Sequence, residues 1–357
     1  MPFVNDKLND YRNRQEGEGQ RKTLSRYTFD PEEVMGSLKR AIFGQEEVLE
    51  RLEGMLNLVH ADISEPDRPL YVAMFLGPTG VGKTETIRIL SEAIYGEKDR
   101  FCRIDMNTLT QEHYAAAITG APPGYVGSKE GHTLFDEEKI AGSFSKPGIV
   151  LFDEMEKADD GVIQTLLNIF DNGKLVVSSG GRTIDFRNSL IFMTSNLGSR
   201  QVSDFFSKEK KSPWKRLKQQ LKPGIREEEL ESLIQTELEK KYTPEFLNRI
   251  DDICIFKDLQ GDIGLSIIDK QISGLNGRLR KHGIQIELDE SAKTYLIEKG
   301  FSRQYGARSV KRAIRQFIEI PVARLLQDSE GIGCLQVTAE KEGLVWAKGL
   351  DRELQAN

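Results

Sequence analysis

Short apolar runs alternate with segments of helical periodicity along the first two thirds of the chain. A run that is apolar throughout is typical of a strand buried on both faces. Five segments have this character or come close to it: Tyr71 to Leu76, Phe101 to Met106, Ile149 to Phe152, Leu190 to Met193 and Ile253 to Phe256. Apolar side chains recur at helical spacing from Val48 to Val59 and from Ile87 to Ile94. Strands that alternate with helices predict an α/β fold, in which helices cover both faces of a parallel sheet.

The pattern changes after about residue 257. Two or three helical segments, a strand at Ile284 to Leu288 and a hairpin near residues 335–337 and 344–346 predict a smaller α+β domain. At the other end, the first residues have almost no apolar periodicity, which is typical of a flexible charged arm. We therefore expect four parts, an arm, a large domain, a small C-terminal domain and a tail, at residues 1–24, 25–252, 253–350 and 351–357.

Composition limits the classes of function. Of the 357 residues, 38% are hydrophobic and 30% are charged, as in ordinary globular proteins, and the net charge is −6. A net negative charge gives no general attraction to nucleic acid or to anionic membranes. No apolar run reaches the ~20 residues of a membrane span, and the polar N-terminus lacks the apolar core of a secretion signal. We expect a cytoplasmic protein with no membrane partner.

The cysteines and histidines do not form a recognisable site. Cys102, Cys254 and Cys334 are widely spaced and odd in number, so they fit neither a disulfide framework nor a zinc pattern. Their apolar neighbours predict buried, reduced thiols, which agrees with a reducing compartment. The four histidines are scattered, and no structural metal site is expected.

A glycine-rich loop follows the first predicted strand. It reads Gly77-Pro78-Thr79-Gly80-Val81-Gly82-Lys83-Thr84, then Glu85, and it fits the phosphate-binding pattern G-x-x-x-x-G-K-[ST]. Glycines let backbone N–H groups turn towards phosphates, and the helix that follows adds the positive end of its dipole. Lys83 would reach the β- and γ-phosphates of ATP, and the Thr84 hydroxyl would bind Mg²⁺.

A second motif, Ile149-Val150-Leu151-Phe152-Asp153-Glu154, completes a nucleotide site. A buried strand there delivers two carboxylates at its C-terminal end, where open α/β sheets bind their ligands. Asp153 would hold the Mg²⁺ shell, and Glu154 would orient and deprotonate the attacking water. Together with the phosphate-binding loop, this pair predicts a Mg²⁺-dependent ATPase.

Six further motifs resemble the second ATPase module of ClpB- and ClpA-type AAA+ unfoldases. They occur in the order of that family and span most of the chain, at Gly120 to Gly127, Asp153 to Lys157, Gly181 to Asn188, Thr194 to Gly198, Pro244 to Asp251 and Tyr305 to Arg308. The resemblance implies a P-loop AAA+ large domain followed by a small α+β lid domain.

The resemblance also implies roles for particular residues. Ile42 and Phe43 match the segment that flanks the adenine. Asn196 matches sensor 1, an amide that positions the attacking water. Arg249 matches the arginine finger, which reaches the γ-phosphate in the neighbouring subunit of a ring. Arg308 matches sensor 2, which couples nucleotide state to movement of the small domain.

A glycine-flanked loop with an aromatic residue, which would be exposed if the loop is mobile, indicates the substrate. Gly124 and Gly127 flank Tyr125 and Val126, and in the resembled family such a loop lines the central pore of a hexamer and grips an extended polypeptide. An aromatic side chain supplies a large contact area that tolerates different sequences. The alternative is that Tyr125 packs into the core of its own domain.

The chain also departs from the family pattern. It has a single ATPase module and no coiled-coil middle domain, so adaptor docking of the usual kind is not expected, although a dedicated adaptor remains open. No aliphatic–Gly–Leu/Phe tripeptide lies between Gly198 and Thr243, so we do not expect a ClpP-like peptidase partner. The stretch from Ser207 to Glu227 is basic and contains Trp214; it is either a solvated insertion or a docking site for an acidic partner or nucleic acid.

These features together predict a homo-oligomeric ring, expected to be a hexamer, that uses ATP to pull on and unfold polypeptides. Two alternatives remain at the level of sequence. AAA+ modules also act on nucleic acid, which the basic stretch could serve, but the aromatic loop argues against it. The chain could also be a nucleotide-switched assembly factor for one dedicated partner.

Overall fold

A computed structural model gives the fold of the chain. It describes residues 25–109, 134–177, 182–210, 224–259, 261–300, 306–328, 333–340 and 343–348. Four of the predicted features lie wholly or mostly outside these residues. They are the N-terminal arm, the loop with Gly124, Tyr125, Val126 and Gly127, the basic stretch around Trp214 and the C-terminal tail.

A parallel sheet forms the centre of the larger part of the molecule, and in the described chain it has five strands in the order β2-β3-β6-β1-β7. All four pairings in this sheet are parallel. The strands are β1 (Tyr71–Leu76), β2 (Cys102–Asp105), β3 (Gly148–Asp153), β6 (Ser189–Ser195) and β7 (Asp252–Ile255). All five coincide with the predicted runs, and the predicted α/β class is confirmed.

The burial of the strands explains why their sequences are apolar. Every residue of β3 and β6 is buried, because both strands have neighbours on either side and helices on both faces. The C-terminal ends of β1, β3 and β6 lie side by side, with Phe75 opposite Thr194 and Leu76 opposite Ser195. Polar residues that follow these strands are therefore brought to one edge of the sheet.

Helices cover the sheet in two layers. In this part of the chain they are α1 (Pro31–Ala41), α2 (Glu46–His60), α3 (Lys83–Tyr95), α4 (Glu137–Ala141), α5 (Asp160–Asn172), α6 (Ser199–Lys210), α7 (Gly224–Glu239) and α8 (Pro244–Leu247). Alternate residues of β1 pack into different layers: Ala73 and Phe75 contact one apolar core, and Val72 and Met74 contact the other. A short hairpin, β4 (Lys174–Val177) and β5 (Arg182–Asp185), follows α5.

A smaller α+β unit follows the large sheet, as predicted from the change in pattern. Its three-stranded sheet has the order β10-β9-β8, from strands Gln285–Leu288 (β8), Cys334–Glu340 (β9) and Gly343–Lys348 (β10). Its described helices are α9 (Gly261–Leu279), α10 (Glu290–Gly300), α11 (Gly306–Ile314) and α12 (Ile320–Asp328). Each helix in the described ranges is too short or too polar to cross a bilayer.

One strand crosses the expected boundary between the two units. β7 begins at Asp252 and pairs with β1 over its whole length, so residues 253–255 belong to the large sheet rather than to the small domain. Cys254 lies opposite Phe75 in this pairing, and both side chains belong to the same apolar core. The first element of the small unit is therefore α9.

Candidate functional site

The phosphate-binding loop joins β1 to the N-terminus of α3. Gly77 has φ 138° and Gly82 has φ 113°, a region of backbone conformation that favours glycine. At Gly77 a Cβ atom would also lie 2.5 Å from the Phe256 carbonyl oxygen, so no other residue fits there without moving the backbone. Helix α3 begins at Lys83 without a side-chain cap, which leaves its first N–H groups free to meet phosphate oxygens.

Lys83 is buried beneath this loop. Its ammonium group donates hydrogen bonds to the carbonyl oxygens of Gly77 and Pro78, the latter at 2.9 Å, and to Asn196 Oδ1 at 3.0 Å. Burial lowers the pKa of Lys83 to about 8, against the attraction of nearby carboxylates, of which Glu156 acts most strongly. These three hydrogen bonds fix the ammonium group of Lys83 beneath the loop.

The two carboxylates of the second motif follow β3. Asp153 is buried, with 6% of its surface exposed. Its carboxylate accepts a hydrogen bond from the Thr194 hydroxyl and forms an ion pair with Arg103 at 2.5 Å. Glu154 has φ 61°, an uncommon conformation for a residue with a Cβ, and this turns the chain sharply at the strand end. The Glu154 side chain accepts a hydrogen bond from the Asn107 amide, and its backbone N–H donates to Thr194 Oγ1 at 3.1 Å.

Asn196 follows β6 and lies between Lys83 and Glu156. Its Oδ1 accepts the bond from Lys83, and its Nδ2 donates to Glu156 Oε1 at 2.8 Å. Its backbone N–H donates to Glu156 Oε2 at 3.1 Å. The amide of Asn196 is thus fixed on both sides at the end of the sheet where Asp153 and Glu154 also lie.

A cleft of about 400 Å³ connects these groups. Its lining includes most of the predicted site: Ile42, Phe43, Thr79, Gly80, Val81, Gly82, Lys83, Thr84, Glu85, Asp153, Glu154, Asn196 and Arg308. The small unit supplies one wall with Leu259, Ile267 and Arg308. Its position against the loop is fixed by a hydrogen bond from the Ala307 N–H to the Gly80 carbonyl at 3.0 Å and by an ion pair between Lys270 and Glu85 at 3.6 Å.

The cleft fits a nucleotide with a bound Mg²⁺. One end is apolar, with Ile42, Phe43 and Ile267, and this end suits a base. The other end combines the uncapped helix N-terminus and Lys83, which suit phosphates. The Thr84 hydroxyl and the Asp153 carboxylate also line the cleft and supply oxygen atoms of the kind that Mg²⁺ prefers.

Arg249 is not among the residues that line this cleft. It lies just after α8, where its side chain forms an ion pair with Asp171 of α5 at 2.5 Å and is half exposed. Arg68 donates a hydrogen bond to the Arg249 carbonyl at 3.4 Å and pairs with Asp251 at 2.9 Å. The predicted finger residue is therefore presented at a surface outside the chain's own site.

Sequence reasoning missed several contacts of the site. Glu156 lies within the motif Asp153 to Lys157, but the sequence of this motif does not indicate that Glu156 accepts hydrogen bonds from Asn196. Arg103 and Asn107 follow no nucleotide-binding pattern. The useful signal is that Arg103 lies within β2 and Asn107 just after it, because β2 pairs with β3. This pairing brings the two residues near Asp153 and Glu154.

Two protein-family models match the chain. Residues 68–253 match the AAA domain (Cdc48 subfamily), and residues 259–332 match the C-terminal, D2-small domain of ClpB protein. The first match covers the large sheet except the last two residues of β7, and the second covers most of the small unit.

Three relatives show how far the similarity extends. A protein of Pseudomonas aeruginosa named "ATP-dependent protease ATP-binding subunit-like protein AmiB" is 43% identical over 347 residues, which cover 92% of this chain and 93% of the relative. An "ATP-dependent protease ATP-binding subunit-like protein" of Rhodococcus erythropolis is 38% identical and is covered to 94%. The chaperone protein ClpB of Bacillus cereus is 37% identical over 81% of this chain, but only 31% of ClpB is covered.

Proposed function

The chain belongs to the Clp family of AAA+ ATPases, and we propose that it assembles into a ring, with six subunits expected, that pulls polypeptides through its pore by hydrolysing ATP. The observation that carries this proposal is the meeting of Lys83, Glu154 and Asn196 at one end of a nucleotide-sized cleft.

In this proposal each residue of the cleft has a defined task. Lys83 and the N–H groups of the phosphate-binding loop hold the β- and γ-phosphates of ATP. Glu154 accepts the proton of the attacking water, and Asn196 orients that water. Thr84 and Asp153 would hold Mg²⁺, and the bound ion would neutralise the charge that develops on the phosphate oxygens.

A neighbouring subunit is proposed to complete each site. Arg249 would reach from its exposed position into the cleft of the next subunit, where a cation stabilises the transition state by a factor of ~10³–10⁵ in related phosphoryl-transfer systems. Arg308 would report the state of the nucleotide to the small unit, which already contacts the phosphate-binding loop through Ala307.

A polypeptide is the proposed substrate. Its support is the loop with Gly124, Tyr125, Val126 and Gly127, which lies outside the described residues and matches the pore loop of the family. The alternatives are that the ring acts on nucleic acid or serves as a switch for one partner.

A protease partner is not part of the proposal. Two relatives carry the words "ATP-dependent protease ATP-binding subunit-like" in their names. The tripeptide that peptidase-partnered members display is not found between Gly198 and Thr243. We propose that the chain remodels its substrates, with or without a dedicated adaptor, and releases them.

A substrate trap tests this function. Glu154→Gln should bind ATP without hydrolysing it and so retain whatever enters the ring. The variant would be purified from its native cells with ATP, beside a Glu154→Gln/Tyr125→Ala variant as the matched control, and the co-purifying molecules identified by mass spectrometry.

The proposal predicts polypeptides that are retained by the first variant and lost from the second. Many unrelated polypeptides would indicate a general unfoldase, and one or two would indicate a dedicated remodeller. Nucleic acid, or partners that remain bound without Tyr125, would contradict pulling by the pore loop.

A further inference from the structure

Glu156 has no task in the nucleotide site as proposed above, yet it makes two hydrogen bonds to one residue of that site. Its Oε1 accepts from the side chain of Asn196 at 2.8 Å, and its Oε2 accepts from the backbone N–H of Asn196 at 3.1 Å. Glu156 belongs to the short helical turn Met155–Lys157, directly after the catalytic pair Asp153 and Glu154. The sensor amide is therefore bound to the same turn that carries the proposed base.

We propose that Glu156 is a positioning residue that fixes the orientation of the Asn196 amide, and through it the attacking water, without touching ATP. The proposal deepens the proposed function, because it rests on hydrolysis in the cleft that Asn196 and Glu154 share.

The chemistry of the three side chains allows one orientation of the amide. A lysine ammonium only donates hydrogen bonds, and an ionised carboxylate only accepts them. Asn196 must therefore turn Oδ1 towards Lys83 and Nδ2 towards Glu156. The second hydrogen of Nδ2 stays available for a water or a phosphate oxygen. A flipped amide would face Lys83 with a donor and Glu156 with an acceptor, so both bonds would be lost.

The backbone of Asn196 is held as firmly as its side chain. Its N–H donates to Glu156, and its carbonyl accepts from the Ser199 N–H at 3.2 Å and from the Ser199 hydroxyl. Thr194, two residues earlier, contacts both Asp153 and the backbone N–H of Glu154. Two adjacent strand ends, β3 and β6, are thus tied together by side chains on each side of the cleft.

Glu156 also balances charge beneath the phosphate site. Among the groups that act on Lys83, Glu156 is the strongest of those that favour its charged form. A change from Glu156 to glutamine leaves the loop and Lys83 in place. Because it also removes this support for the ammonium form, the variants are compared at pH 6.5, well below the pKa of about 8, where Lys83 stays charged. The amide of glutamine presents one donor to Asn196, so one of the two acceptor contacts is lost.

The expected effect therefore falls on turnover more than on binding. A misplaced catalytic group costs up to ~10²-fold in rate. We expect Glu156→Gln to lower kcat for ATP by between ~10- and ~100-fold, while KM and the Kd for ADP change less than about threefold.

A double-mutant cycle separates positioning from general support of the fold. Steady-state ATP hydrolysis would be measured on full-length protein for wild type, Glu156→Gln, Asn196→Ala and the double variant, with ADP affinity measured by calorimetry on each. Glu287→Gln, at an exposed position on β8 outside the cleft lining, is the matched control for loss of a carboxylate.

If Glu156 acts through Asn196, adding Glu156→Gln to Asn196→Ala lowers kcat by less than about threefold, because the group it positions is already gone. Losses that multiply in the double variant, or a Glu156→Gln variant with wild-type kcat, would overturn the inference while leaving the proposed function intact. A variant that loses ADP affinity together with kcat would also overturn it, by indicating a structural role. A wild-type protein without ATPase activity would overturn the inference and the proposed function together.

Discussion

At the scale of single residues, the central feature is a buried lysine in the phosphate-binding loop. Lys83 is 8% exposed, and its ammonium group bonds to two loop carbonyls and to Asn196. Removal from water disfavours the charged form, and the pKa of Lys83 falls to about 8. The nearby carboxylates, Glu156 first and then Asp153, oppose this fall in the pKa of Lys83. Lys83 therefore loses its proton near pH 8, a pH at which ATP binding can be measured.

The affinity for ATP should therefore depend on pH above neutrality. Negatively charged phosphates favour the ammonium form of Lys83. Below pH 8 Lys83 already carries the required proton. Above pH 8 Lys83 must take up a proton when ATP binds. We predict that Kd for ATP rises between pH 8 and pH 9, by at most about tenfold per pH unit, as measured by calorimetry.

Two further results bear on this prediction. Calorimetry at pH 8.5 in buffers of different ionisation enthalpy should show proton uptake by the wild type. Lys83→Gln should bind weakly at every pH without this dependence. A wild-type affinity that stays constant from pH 7 to pH 9.5 would contradict the assignment of the titration to Lys83.

At the scale of elements, the close packing of strand ends positions the site. β3 begins at Gly148, whose Cα lies against the last turn of α4, and a Cβ there would lie 1.8 Å from the Ile140 carbonyl oxygen. The same carbonyl accepts a hydrogen bond from the Ser189 hydroxyl at the start of β6, at 2.6 Å. The N-terminal ends of β3 and β6 are thus locked together, as their C-terminal ends are locked by Thr194 and Asp153.

Gly148→Ala should therefore be strongly destabilising. The methyl group can be accommodated only by displacing backbone, and we predict a loss of about 3 kcal/mol in the free energy of unfolding, measured by urea denaturation. Gly54→Ala is the matched control: Gly54 lies exposed within α2 with no atom near the added methyl group, and alanine there should stabilise by about 0.5–1 kcal/mol. Equal stability of the two variants would show that α4 does not lock β3.

The elements themselves could be predicted well from sequence, whereas their mutual contacts could not. The five strands of the large sheet were predicted because buried parallel strands are apolar throughout. Lys83 was proposed from the glycine-rich phosphate-binding pattern and Asp153 from its place at the end of a buried strand, and both line the same cleft. That β7 runs across the expected boundary at residue 252 was not predicted, because its pairing with β1 depends on contacts between residues about 180 positions apart. The contacts of Glu156 with Asn196 and of Asn107 with Glu154 join separate strands, and no local pattern encodes them.

At the scale of the whole molecule, the cleft is shared between the two units while Arg249, the proposed finger residue, lies elsewhere. The small unit reaches the phosphate-binding loop through Ala307 and reaches Glu85 through Lys270. Arg249 stays outside the cleft, paired with Asp171 of its own chain. This division is what a ring of identical subunits requires, because a head-to-tail interface places one subunit's exposed residue at the next subunit's cleft.

The central claim is that each active site is completed by a neighbouring subunit, and subunit mixing tests it most directly. Glu154→Gln retains Arg249 but lacks the base, and Arg249→Ala retains the base but lacks the finger, so each should be inactive alone. The account predicts that equal amounts of the two variants, mixed under conditions of subunit exchange, regain about a quarter of wild-type ATPase activity. A site is restored only when its own subunit has Glu154 and the neighbouring subunit has Arg249, and random mixing in a closed ring gives each of these a chance of about one half. A mixture no more active than its separate components would contradict the account, because Arg249 would then serve only its own chain.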